Sequence, residues 1–177
     1  MGMGMALGGR PQDGIQMMDK SMKVFADMKF RYFRSVHLGM KAQAYQIAGE
    51  IGKALASVAE GVAFAKESGE RVVLSDLIRL SGELHLAGAT APAAEMAESL
   101  FVEAIELARA QASKLLELRA ATSLARLWQA QGKHAKANDV LYPVYSWFNE
   151  GFASADLVEA KRLLDLPEPI RPLIAGA

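Results

Sequence analysis

The sequence predicts an all-α fold, a right-handed α-solenoid of antiparallel helical hairpins with about seven to eight helices and a C-terminal capping helix. Three observations predict it. Ala, Leu, Glu, Lys, Met and Gln fill most of the stretch from Gln12 to Leu166, and these residues lose little side-chain freedom in a helix. No sustained apolar/polar alternation marks a strand; Arg71-Val72-Val73-Leu74 is the nearest candidate and runs straight into a helical pattern. Apolar residues recur instead at threes and fours. Leu100, Phe101, Ala104, Ile105 and Ala108 share one face, and Leu118, Ala121, Leu124, Ala125 and Trp128 another.

Breakers divide the single domain, 1–177, into its elements. Residues 1–9 read as an irregular start ending in Gly8-Gly9. Residues 10–30 read as a partial repeat, a hairpin lacking its first helix, with Pro11 in the first helical turn where a missing N–H costs nothing. The first full repeat spans 31–69, with helices at about 32–48 and 52–68 stopped by Gly49 and Gly69. The second spans 71–112, with helices at about 75–87 and 93–112 parted by Gly88-Ala89-Thr90-Ala91-Pro92. The third spans 114–148, with helices at about 114–131 and 135–148 parted by Gly132. A capping helix follows at 154–166, then a tail at 167–177 punctuated by Pro167, Pro169 and Pro172. Ser113 and Ser154 stand where N-caps belong, and Asp156 falls in a first turn, where the helix dipole favours an anion.

Self-comparison gives the strongest signal. Ala42-x2-Tyr45 is followed by Ala54-x3-Val58, Gly82-x2-His85 by Ala97-x3-Phe101, and Ala125-x2-Trp128 by Ala137-x3-Leu141. Small residues are needed where the two helices of a hairpin cross closely, and the larger side chain fills the space beside them. The turns Ala48-Gly49-Glu50 and Gln131-Gly132-Lys133 fall at matching points. This register resembles that of tetratricopeptide repeats (TPR). The units are offset by 40 and 43 residues, against about 34 in that family, and no repeat closes with the family's Pro, so HEAT-like hairpins are the rival reading.

A second resemblance lies in the final third. The run from Leu118 through Arg119, Arg126 and Trp128, then Gln131-Gly132, then Leu141-Tyr142-Pro143-Val144-Tyr145-Ser146-Trp147-Phe148, resembles the C-terminal helical-repeat region of bacterial adenylate/guanylate cyclase–AAA ATPase signalling proteins. The likeness covers roughly 75–166 well. It implies that this chain is the repeat tail alone, because no nucleotide-handling motif of those enzymes is present.

Composition narrows the function. With 20 Lys+Arg against 20 Asp+Glu, the chain lacks the basic excess of a nucleic-acid binder. Zero Cys excludes disulfides, thiolate metal sites and a Cys nucleophile. The uncharged stretch Leu84 to Ala94 is too short to cross a bilayer, and Met1 to Gly9 lacks the charged start of a signal peptide, so a cytoplasmic location is expected. No P-loop, zinc-helix, nucleophile-elbow or calcium-loop pattern occurs, and no His pair has metal-ligand spacing. No cofactor, no metal and no catalysis are expected.

His85 fills the slot held by Tyr45 and Trp128 and reads as a packing residue, while His37 and His134 read as solvent-exposed. Lys29-Phe30-Arg31-Tyr32-Phe33-Arg34 mixes cations with aromatics, but on a neutral chain it reads as a linker and helix start. The early methionines read as core filler, with Met17, Met18 and Met22 left exposed by the missing first helix and offering a homodimer surface. Pro143 should kink or loosen its helix near Asp139, and Tyr142, Tyr145, Trp147 and Phe148 around it should help cover the open end.

The first helix of each hairpin lines the concave face of such a solenoid. Uncommitted polar positions there are Gln43, Gln46, Arg79, Glu83, Arg119, Arg126 and Gln129, the candidate binding residues. Arg119 and Arg126 suit a carboxylate-bearing peptide, since guanidinium pairs bidentately. The expected function is a non-catalytic protein-interaction and regulatory scaffold whose partner is a protein, a peptide or other domains of its parent chain. Two alternatives stay open: a small-ligand-sensing helical domain, and an enzyme with a scattered site around Arg79, Glu83 and His85.

Overall fold

The computed structural model describes residues 1–29, 32–88 and 92–166. Phe30 and Arg31 of the cationic-aromatic cluster, most of the loop before Pro92 and the proline-punctuated tail lie outside the described residues. Within them the chain forms nine helices and no strand: α1 (Gly2–Leu7), α2 (Pro11–Asp27), α3 (Arg34–Ile47), α4 (Ile51–Ser68), α5 (Leu74–Ala87), α6 (Ala93–Ala110), α7 (Lys114–Ala130), α8 (His134–Tyr145) and α9 (Ala155–Leu164).

Helices α2 to α9 lie where the apolar spacing puts them. α1 corrects the irregular start. Glycine costs about 1 kcal/mol in a helix, so Gly2-Met3-Gly4 reads as non-helical from the sequence. Close packing overrides that propensity: a Cβ on Gly2 would stand 2.8 Å from the Gly14 carbonyl oxygen, and one on Gly14 would overlap Gly2. The two glycines let α1 lie directly on α2, and α1 covers Met18, which is buried, whereas Met17 and Met22 are half-buried. The expected exposure of Met18 is thereby corrected.

The matching turns share one geometry. Gly49 and Gly132 have φ of 76° and 75°, a conformation that only glycine adopts without strain. Gly49 N–H donates to Gln46 and Glu50 N–H to Tyr45; Gly132 N–H donates to Gln129 and Lys133 N–H to Trp128. Both are Schellman caps. Ser113 and Ser154 do occupy N-cap positions, but neither side chain makes a capping hydrogen bond.

Consecutive helices pack as antiparallel neighbours joined by short turns. The odd-numbered helices also pack on one another, α1 on α3, α3 on α5, α5 on α7 and α7 on α9, whereas among the described residues no even-numbered pair does. The odd layer is therefore the inside of the arc, and α9 stands where the first helix of a fourth hairpin would. The core follows the same one-dimensional plan, with three clusters strung along the chain.

The repeat register is the crossing geometry. Ala42, Ala54, Ala97, Ala125 and Ala137 are buried, and a Cβ on Gly82 would stand 2.6 Å from the Phe101 ring. Tyr45, His85 and Trp128 are all half-buried beside these crossings. Pro143 sits in the last turn of α8, which stops two residues later, short of the expected 148. Tyr145 and Phe148 pack against the core, but Tyr142 and Trp147 are 62% and 61% exposed, so only part of the aromatic patch covers the end. Leu157, Ala160 and Leu163 of α9 do the covering.

Candidate interaction groove

Three helices of the inner layer bring polar stripes together. On α5, Asp76, Arg79 and Glu83 recur at three and four and so share a face, as do Arg119, Ser123 and Arg126 on α7 and Asp156 and Glu159 on α9. All but Asp76 line one open groove of about 400 Å³, joined at one edge by Gln43 of α3, and Asp76 is tied to it through Arg79. Five of the seven candidate residues are thus assembled: Gln43, Arg79, Glu83, Arg119 and Arg126. Gln46 does not line the groove, and Gln129 instead donates to the Leu163 carbonyl at 2.8 Å, tying α7 to α9.

The arginines are already engaged. Arg79, whose side chain is 11% exposed, lies 2.8 Å from Asp76 and 2.7 Å from Glu83. Burial alone would lower the Arg79 pKa, but the two carboxylates outweigh it and raise it. Arg119 holds Asp156 through two parallel hydrogen bonds of 3.0 and 2.9 Å, and this pairing raises its pKa. Arg126 reaches Glu159 at 3.0 Å and faces Glu83 at 3.9 Å. Arg162 and then Arg126 hold the Glu159 carboxyl down to about 2, against the opposing effect of partial burial.

The network around the groove therefore joins four guanidinium groups, those of Arg79, Arg119, Arg126 and Arg162, to four carboxylates, and its charges balance. The expectation that Arg119 and Arg126 wait for a partner's carboxylate changes accordingly: α9 supplies carboxylates to both. Of the three arginines that line the groove, Arg126 is the most accessible, its side chain 49% exposed. Ser123, which donates to Glu83 at 2.8 Å, was not among the candidates, nor were Asp156 and Glu159. The stripe through Arg119 and Arg126 passes through Ser123, so its signal was present; nothing local says that α9 packs on α7.

The scattered site is not assembled. Arg79 and Glu83 pair in the groove, while His85, two residues further round the helix, does not line it. His37 and His134 are half-buried rather than exposed, and a His37 ring nitrogen lies 2.7 Å from the Phe33 carbonyl. Among the described residues no group of three or more His, Asp or Glu could hold a metal ion, and no helix is long and apolar enough to cross a membrane.

The fold has solved counterparts. A kinesin-light-chain-like protein of Podosopora anserina, built of nearly identical TPR-like repeats, superposes with a TM-score of 0.65 at 16% identity, over 90% of this chain and 78% of that one. Its Q17M variant gives 0.66 at 15% identity over the same shares. The chain has a TPR-like fold. At these identities the likeness is one of architecture, and it favours the tetratricopeptide reading over HEAT-like hairpins. No family model matches the sequence, and no curated protein matches it.

Proposed function

We propose that this chain is a non-catalytic protein-interaction scaffold that holds a polypeptide segment in the groove of α3, α5, α7 and α9. The observation that carries the proposal is the gathering of Gln43, Arg79, Glu83, Arg119 and Arg126, from three successive hairpins, into one open groove on the inner layer. Because every guanidinium there already faces a carboxylate and the charges balance, the segment that fits carries both signs of charge, offering a cation to Glu83 and a carboxylate to Arg126.

The resemblance of residues 75–166 to the tails of cyclase–ATPase proteins supports a bacterial signalling context in the cytoplasm, with other domains of a parent chain as partners. A second copy of the chain is a further partner in this proposal, through Val24, Met28 and Phe33, which stay exposed at the N-terminal end.

Arg126→Gln tests the groove. The pair with Glu159 is solvent-exposed, so stability should fall by no more than about 1 kcal/mol. Affinity for the native partner, measured by calorimetry, should fall about tenfold because a charge-assisted hydrogen bond is lost. Unchanged affinity would move the partner to another face.

A further inference from the structure

The polar groove continues past Gln43. A second hollow of about 190 Å³ opens beside it between α3 and α5, and Gln43 and Arg119 line both. Its chemistry is different. Leu77 and Leu80, each 2% exposed, form the floor, and Met40, 41% exposed, stands beside them as a wall. Gly39 brings α3 down onto that floor, since a Cβ there would stand 2.9 Å from a Leu77 methyl. These residues belong to α3, α5 and α7, which are described from end to end.

The charged and hydroxyl groups at the rim of this notch are matched within the protein. Asp76 is held by Arg79 at 2.8 Å, Arg119 by Asp156 at 2.9 Å, and the Ser35 hydroxyl donates to Glu70 at 2.8 Å. Gln43 is the exception. Its half-buried side-chain amide has no hydrogen-bond partner among the described residues. An amide carries both a donor and an acceptor, the pair that a peptide unit offers in return. The notch thus offers an apolar floor with room for one large aliphatic side chain. Where it joins the groove, Gln43 offers a group for the backbone.

On the reading that the groove is the docking face, we infer that the partner segment is extended and seats one Leu, Ile or Met side chain on Leu77 and Leu80 beside Met40. The spacing of its residues follows from the helices. Leu77 and Glu83 stand six positions apart on α5, about 9 Å along the helix. From the α3–α5 seam to the α5–α7 seam, where Glu83 faces Arg126 at 3.9 Å, is one interhelical spacing of about 9 Å. The diagonal of about 13 Å is spanned by about four extended residues at about 3.3 Å each. The aliphatic residue therefore stands about four positions from the opposite charges that meet Glu83 and Arg126, and the backbone between them passes Gln43. Seating the aliphatic side chain removes apolar surface from water, and a charged side chain there would lie unpaired among matched groups.

A phage library of random nine-residue peptides, selected on the full chain, is the probe. Enriched peptides should carry one Leu, Ile or Met about four positions from a basic and an acidic residue. Labelled with fluorescein and titrated by anisotropy, they should bind Met40→Glu about tenfold or more weakly. The melting temperature should not change, because Met40 is exposed. Ser in place of the peptide's aliphatic residue should weaken binding to the parent by a similar factor, with little further loss against Met40→Glu. Gln43→Ala should weaken every selected peptide about threefold, through the backbone. Peptides that lose affinity for Arg126→Gln but ignore Met40→Glu and the Ser replacement overturn the notch and leave the groove standing. Selection of nothing, or of peptides indifferent to Arg126→Gln as well, overturns the groove along with the notch.

Discussion

Glycine has opposite consequences at two positions of this chain, and the neighbouring atoms decide which. At Gly82 an added Cβ would meet the Phe101 ring at 2.6 Å, inside the crossing of α5 and α6. At Gly52 nothing lies within 4 Å of it. Gly82→Ala should therefore destabilise by about 1–2 kcal/mol, the overpacking cost less the gain in helix propensity. Gly52→Ala should stabilise by about 0.5–1 kcal/mol. Urea unfolding of the two variants measures both signs, and a stabilised Gly82→Ala would contradict the crossing geometry. The small/large register was legible because such crossings admit few residue types. The pairings of Arg119 and Arg126 were not, since a surface arginine carries no local mark of its partner.

At the scale of elements, α9 joins two functions that the sequence kept apart. Leu157, Ala160 and Leu163 close the core, while Asp156 and Glu159 on its inner edge enter the groove. Glu159 has a folded pKa of about 2, well below its ordinary value, so the unfolded chain binds the proton more readily. Its contribution to stability is complete above about pH 4.5 and is lost as pH falls toward 2. Glu159→Gln should therefore melt below the parent at pH 6–7, and the gap should close as the pH approaches 2. A gap that stays constant with pH would show that the two ion pairs contribute nothing. Helices α2 to α9 were readable because each carries an apolar stripe, and Gly49, Gly69, Gly88 and Gly132 mark the ends of four of them. α1 was not, because its helicity comes from the close approach of Gly2 to Gly14, a tertiary effect absent from any local window.

For the whole molecule, the odd-numbered helices form an inner layer and the even-numbered ones an outer layer, each hairpin supported by its neighbours. That plan places polar residues from four helices in one groove, whereas among the described residues no two outer helices pack on one another. On this plan partners enter on the inner layer. Site-specific photocross-linking in the source cell tests this, with benzoylphenylalanine in place of Gln43 in the groove and, as the comparison, in place of Glu103 or Glu106 on exposed positions of α6. A discrete adduct is expected from position 43 and none from positions 103 and 106. The same adduct from α6 with none from position 43 would contradict it.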